Sequence, residues 1–193
     1  MPNITAFLSY VLITTFTPGP NNIMAMSNAS RYGFKKSLKF NLGVFIGFLI
    51  IMVLSSFLSF TLYSLIPAIK PVMTLIGASY ILWLAWKTYK SDPHARDERK
   101  ATNTFTAGLL LQFVNVKVII YCITTVLTFI SPYYKSIFAL SMFSLFMASL
   151  SLMSTCSWAV FGAVFQKFLI KNHKAVNVIM ALLLVYCALS FYI

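Results

Sequence analysis

Long apolar stretches alternate with short polar ones along the chain. Six can be drawn, over residues 4–28, 41–66, 71–89, 104–130, 137–162 and 175–193. Each has the length a helix needs to cross hydrocarbon, about 18 residues or more. Only helices and closed barrels satisfy every backbone group there, so the pattern predicts an all-α polytopic membrane protein with six transmembrane helices. Segments two and three meet through Ile66-Pro67, with Lys70 and Pro71 close by, which predicts a tight helical hairpin. Segments four and five meet through Ser131-Pro132-Tyr133-Tyr134-Lys135, a short connection with interface aromatics.

The first segment is interrupted in its interior by Thr17-Pro18-Gly19-Pro20-Asn21-Asn22. Each proline lacks an amide hydrogen and crowds the preceding turn, so a continuous helix is not expected there. Backbone groups freed inside a membrane need partners, which favours a protein-lined cavity over a lipid face. Non-helical backbone at that depth points to a binding site; a kink used only for packing is the plainer reading. A second polar interruption, Gln112-Phe113-Val114-Asn115-Val116-Lys117, falls in segment four. Each half of the chain thus opens with an interrupted segment followed by two more. Three spans per half reverse the orientation of the second half, which predicts two inverted three-helix repeats around a pseudo-two-fold axis. The chain then reads as one transporter-sized domain, 1–193, with halves 1–90 and 104–193 and a cytoplasmic linker at 91–103.

Composition agrees: of 193 residues, 60% are hydrophobic and 9% charged, against roughly a quarter charged in soluble domains. The amino-terminal Met1-Pro2-Asn3-Ile4 carries no basic residue and no small-residue cleavage site follows it, so it reads as part of the first span. The net charge of +12 does not indicate nucleic acid, because its placement follows the membrane. Arg31, Lys35, Lys36 and Lys39 lie in the first connection; Lys87, Lys90, Arg96, Arg99 and Lys100 in the third; Lys167, Lys171 and Lys174 in the fifth. The other two connections hold only Lys70 and Lys135. That bias puts the three basic connections in the cytoplasm and both termini in the periplasm. The acids Asp92, Asp97 and Glu98 share the longest cytoplasmic loop with His94, and read as a solvated loop; His173 opens the last span. Cys122, Cys156 and Cys187 stand singly in apolar runs, as small buried hydrophobes rather than a disulfide or metal set.

A few residues stand out chemically. Pro18, Gly19 and Pro20 form the backbone break. Of Asn21 and Asn22, one can cap the restarting half-helix and the other present its amide to a ligand; capping alone would also account for both. Exposed amides at that helix start favour a carboxylate. Lys117 lies well inside segment four, and no predicted span contains an acid to neutralise it. A substrate carboxylate, backbone carbonyls or cavity water would serve, unless a shifted register brings it to the cytoplasmic face. Asn115 caps backbone or orients the lysine. Gly43 and Gly47 permit close helix contact, and Ala148, Ser151, Thr155 and Ala159 form a small face suited to packing, with hydroxyls bonding inside their own helix. Tyr80, Trp83 and Trp86 beside Lys87 read as an interfacial belt, Tyr80 being deep enough to line a cavity; Phe191-Tyr192 reads as an outer anchor.

Thr17-Pro18-Gly19-Pro20-Asn21, the basic connection after it, and Gly43-Val44-Phe45-Ile46-Gly47 resemble the LysE/RhtB superfamily of amino-acid exporters. Ala78-Ser79-Tyr80-Ile81-Leu82-Trp83-Leu84-Ala85-Trp86-Lys87 is similar to its third-span signature, and Gln112 to Lys117 to its fourth-span region. The resemblance covers essentially the whole chain. It is strongest toward members that export cysteine and O-acetylserine, including the ending Leu182-Leu183-Leu184-Val185-Tyr186-Cys187-Ala188. Where the family often has Asn-Pro-Lys, this chain has Asn115-Val116-Lys117, so the second break is expected to be milder than the first. The resemblance implies a bacterial inner-membrane exporter of small zwitterionic amino acids, not an enzyme, without cofactors or metals and driven by the proton motive force. Homoserine, threonine and leucine are its alternative substrates. With no intramembrane carboxylate, a lysine or arginine exporter is disfavoured, and the proton carrier is not evident.

These readings combine into alternating access between the two breaks. The substrate carboxylate is expected at Lys117 and the amides near Asn21 and Asn22, its ammonium at carbonyls freed around Pro18 to Pro20, and Gly19 at the moving joint. A homodimer is compatible with the small-residue faces. A membrane interaction protein that transports nothing is the competing class, with the breaks serving packing alone.

Overall fold

A computed structural model of the chain describes residues 4–90 and 102–189, and within them no side chains at 59–70, 73, 74, 77 and 170. The expectations at His94, the three acids, Arg96, Arg99, Lys100 and Phe191-Tyr192 lie outside the described residues. The described part is helical throughout. The first interrupted segment is two helices, α1 (Ile4–Phe16) and α2 (Pro20–Tyr32). After Gly33, whose φ of 80° suits a residue without Cβ, come α3 (Phe34–Phe57) and α4 (Ser59–Tyr89). The second interrupted segment is α5 (Phe105–Val114) and α6 (Val116–Thr125), the latter extended by a π-helical turn at Val126–Ile130. Then follow α7 (Ile137–Val164), a short α8 (Gln166–Lys171) and α9 (His173–Leu189).

One boundary departs from the sequence reading. The break between the second and third segments falls at Leu58, and Pro67 and Pro71 lie within the bounds of α4. A proline frees one backbone acceptor and bends a helix, and neighbouring groups in a membrane bundle can re-satisfy it without ending the helix. The second span accordingly starts earlier than residue 41 and ends before 66, with Lys35, Lys36 and Lys39 on its first turns.

Helices α3 and α7 are long and apolar enough to cross a membrane, and α5 with α6 and the π turn passes as a span bent by 67°. Their outward faces are apolar: Met142, Leu145, Met153, Val160 and Val164 of α7 are exposed, as are Leu42, Ile50 and Leu54 of α3. Helix α2 is the reverse. It carries Asn22, Ser27, Asn28 and Ser30, all buried, so it runs inside the bundle, packed on α3, α7 and α9. Asn28 Nδ2 donates to the Thr102 carbonyl at 3.3 Å and Asn103 Nδ2 to that of Lys36 at 3.2 Å, which ties the chain before α5 to this end.

Two apolar clusters fill the interior. One gathers Phe7 and Val11 of α1, Phe48 to Met52 of α3, Val118 to Val126 around α6, and Leu140 and Met147 of α7. The other gathers Ile23 to Ala29 of α2, Phe40 and Val44 of α3, Leu111 of α5, Ala159 of α7, and the facing sides of α4 and α9. Both breaks, and Ser151 to Thr155 of α7, fall between them in chain order. Asn21, Asn22, Gln112, Asn115 and Ser154 therefore meet in one polar layer between the two clusters.

Close approach of α3 and α5 sets the position of the second break. A methyl group built on Gly43 would overlap the Phe105 carbonyl, and one on Gly108 would overlap that of Phe40. Glycine on both sides lets the backbones meet. Gly47 faces Leu109 and Gln112 one turn on.

Candidate functional site

The last turn of α1 ends without helical partners for its final carbonyls, because Pro18 and Pro20 bring no amide hydrogen. All four find side-chain donors. Thr17 Oγ1 donates to the Thr14 carbonyl at 2.9 Å. Asn22 Nδ2 reaches back to the carbonyls of Thr15 and Thr17, both at 3.0 Å. Ser154 Oγ also donates to Thr15 O at 2.9 Å, and Trp158 Nε1 to Phe16 O at 3.2 Å. Helix α7 therefore clasps the first break. The Thr15 carbonyl, with two donors, is filled, while those of Thr14, Phe16 and Thr17 hold one side-chain donor each and keep a second lone pair for a substrate ammonium.

Helix α2 begins with Gly19 as its N-cap, extended at φ −161°, and no side chain caps it. Neither asparagine plays the capping part expected of one of them: Asn22 serves α1, and Asn21 turns toward the other break. Asn21 Nδ2 donates to Gln112 Oε1 at 2.8 Å, and Gln112 Nε2 returns a bond to Asn21 Oδ1 at 3.1 Å. Asn115 Nδ2 donates to the same Asn21 Oδ1 at 3.2 Å. An amide trio thus joins the start of α2 to the end of α5.

The second break is fully formed. Asn115 has extended backbone (φ −86°, ψ 94°) and separates α5 from α6; its carbonyl accepts from the amides of Val118 and Ile119. The bend points Lys117 at the first break. Its Nζ donates to Thr17 Oγ1 at 3.1 Å and lies 3.2 Å from where a Cβ on Gly19 would be. The lysine is half-buried. An ammonium at an uncapped helix N-terminus opposes the positive end of the helix dipole, and every acidic residue of the chain lies in 92–98. Such a pair of positive elements is arranged for an anion.

Around them is a cavity of about 40 Å³. Its walls come from Thr14 and Thr15 of α1, Gly19 to Asn22, Phe48 of α3, Asn115 to Tyr121 around the bend, and Ser151 of α7. That volume has room for a few waters and is too small for an amino acid. On the α1 side the cavity ends at Tyr121, whose hydroxyl pairs with Thr15 Oγ1 at 3.0 Å. Tyr10 and Phe48 lie against its ring, at centroid distances of 5.7 and 6.1 Å, and Phe7 and Phe129 extend the aromatic layer.

Of the residues expected at the site, Pro20, Gly19, Asn21, Asn22, Asn115 and Lys117 are brought together, with Pro18 in the same break. Ser151 joins the wall, while Thr155 bonds the carbonyls of Ser151 and Leu152 within its own helix. Tyr80 is elsewhere. It stacks on Trp83 at 5.5 Å, near the stretch where Lys87 lies over Trp83 and Lys90 over Trp86. Gln112, Thr15, Tyr121, Ser154 and Trp158 were not expected there. Only Gln112 carried a signal, as the first residue of the second polar interruption, three residues before Asn115.

The family model for the LysE type translocator matches residues 12–193. The chain is 39% identical over 189 residues to the cysteine/O-acetylserine efflux protein of Salmonella typhimurium, covering 98% of this chain and 97% of that one. It is 42% identical over 185 residues to the protein of the same description from Klebsiella pneumoniae, covering 96% and 94%. The Escherichia coli K12 protein so described is 38% identical over 189 residues, covering 98% and 97%. No solved structure matches. A translocator family fits a bundle whose two broken helices meet around a polar cavity, and the chain belongs to the LysE type translocator family.

Proposed function

We propose that this protein exports small neutral amino acids, cysteine and O-acetylserine before homoserine, threonine or leucine, across the bacterial inner membrane. The observation that carries the reading is Lys117, an ammonium with no carboxylate partner among the described residues, aimed at the uncapped start of α2 in a polar layer between the two breaks. The substrate carboxylate binds between them. The efflux proteins to which the chain is similar supply the substrate class.

The chain forms six spans in two inverted halves, α1–α2 with α3 and α4 answering α5–α6 with α7 and α9. Each half starting with a broken helix supports this arrangement, and the basic connections support periplasmic termini. A cavity of about 40 Å³ is too small to hold the substrate, so loading requires the two broken helices to part. On the periplasmic side that means withdrawal of the Tyr121 ring from Thr15. The proton motive force drives the cycle.

Purified protein in liposomes tests the reading through counterflow of labelled cysteine, O-acetylserine, homoserine, threonine, leucine and lysine under set proton and electrical gradients. Saturable, protein-dependent exchange of cysteine or O-acetylserine is expected. Lys117→Ala should lower its kcat/KM about 10- to 100-fold, the value of a hydrogen bond to a charged group, with insertion unchanged. No protein-dependent flux of any of the six would overturn the function, and unchanged flux in Lys117→Ala would remove the lysine from it.

A further inference from the structure

We propose that Asn115 Oδ1 receives the substrate's ammonium group, so that Asn115 distinguishes an amino acid from the same acid lacking its amino group. The inference rests on the transport reading above and assigns the half of the substrate that Lys117 does not hold.

The orientation of the amide trio is fixed by one atom that can only accept. Gln112 Nε2 donates to the Gly108 carbonyl at 3.0 Å, which places Oε1 toward Asn21. Asn21 must then offer Nδ2 to that oxygen and Oδ1 to Gln112 Nε2. Asn115 can approach Asn21 Oδ1 only with its own Nδ2. Its Oδ1 is what remains, a buried acceptor with no donor. Asn115 is 1% exposed and lines the cavity. Two other buried side-chain oxygens among the described residues lack a donor, on Asn41 and Asn103, and neither residue lines it.

Several polar groups of the cavity wall already have partners, and Lys117, with one of its three N–H donors on Thr17, keeps two for a carboxylate. Asn22 Nδ2 is divided between two carbonyls, and the Tyr121 hydroxyl pairs with Thr15. The carbonyls of residues 14–17 each hold at least one side-chain donor, whereas Asn115 Oδ1 holds none. A zwitterion entering this layer therefore finds positive character at Lys117 and the α2 start, and an acceptor awaiting a donor two residues before that lysine. Charged donors to a neutral amide oxygen make strong bonds where water is excluded, and a buried acceptor left bare loses free energy that an ammonium restores. A ligand with a carboxylate and no amine leaves Asn115 Oδ1 bare. Such sites reject the analogue lacking the group they were built to bond.

The test is inhibition of labelled cysteine counterflow in liposomes by unlabelled cysteine, by 3-mercaptopropionate, which lacks the amine, and by cysteamine, which lacks the carboxylate. Wild-type protein should prefer cysteine to 3-mercaptopropionate by about tenfold or more, the worth of a bond between a charged donor and a buried acceptor. In Asn115→Leu the cysteine constant should rise about tenfold or more while that for 3-mercaptopropionate moves less than about twofold, collapsing the preference. Asn115→Asp, nearly the same shape, should strengthen cysteamine inhibition. Lys117→Ala should do the opposite, weakening 3-mercaptopropionate and sparing cysteamine. Equal weakening of all three ligands in Asn115→Leu, or no gain for cysteamine in Asn115→Asp, overturns the assignment alone. Absence of flux in the wild-type protein overturns the transport reading, and the assignment with it.

Discussion

The two breaks do the same thing to the chain by different means. At the first, Pro18 and Pro20 remove donors covalently, and every carbonyl they release is taken by Thr17, Asn22, Ser154 or Trp158. At the second no proline is present, the 67° bend turns on Asn115 alone, and one acceptor is left without a donor. The first break is thus a satisfied structure that no alternative backbone path competes with. The second is a helix that local sequence would allow to continue, held bent by what surrounds it. In a two-state transporter the element that can be re-formed is the one that moves, so we propose α5–α6 as the moving wall and α1–α2 as the fixed one, in place of a moving joint at Gly19.

The largest effect should come from the contact that clamps α5. A methyl at Gly108 meets the Phe40 carbonyl, a backbone atom that cannot turn aside. Gly108→Ala should therefore cost about 3 kcal/mol, the upper range of overpacking in a filled interior, and lower the thermal midpoint of the detergent-solubilised protein. If the second break depends on this clamp, the loss of transport should exceed the loss of folded protein. A midpoint equal to wild type would show that α3 and α5 can separate freely.

Breaking the first region should cost somewhat less and act differently. Asn22→Leu removes the donor shared by the carbonyls of Thr15 and Thr17, and Ser154 can still cover the former. The carbonyl of Thr17, an exposed residue, is left without its side-chain donor, which costs about 1 kcal/mol. The expected signature is lower thermal stability with the relative inhibition by cysteine and 3-mercaptopropionate unchanged, because Asn22 serves the backbone and not the ligand. A selective change in either constant would place Asn22 among the binding groups.

What the sequence made legible follows the same division. The first break could be read because proline and glycine act on their own backbone. Lys117 could be read because a charge within an apolar run needs a reason wherever the chain goes. The donors that complete the site could not, since Ser154 and Trp158 reach α1 from well over a hundred residues away, and a serine or tryptophan in an apolar helix has many innocent uses. Tyr80 shows the limit of depth as a guide: a residue can lie at a suitable level and face away from the cavity. Pro67 misled for the complementary reason, since its local preference for ending a helix is weaker than the bundle's ability to accommodate it. The turn at Leu58 has no glycine or proline to mark it.

The smallest expected effect is the most discriminating. Val116 is the first residue of α6, where a missing amide hydrogen is harmless and a fixed φ suits the helix start. The preceding residue must be extended, and Asn115 already is, at φ −86° and ψ 94°. Val116→Pro should therefore change stability by less than about 1 kcal/mol, and in the stabilising direction if the unfolded chain loses freedom at no native cost. Transport then decides what the bend is for. If the second break stays bent through the cycle and α5–α6 swing as a rigid elbow, the proline variant keeps its counterflow rate. If α5 and α6 must realign into a straighter helix to open one side, proline forbids that state and exchange should fall while cysteine binding in the bent form persists. Either result separates a hinge from an elbow, which the contrast with Pro18 and Pro20 leaves as the remaining question about the moving wall.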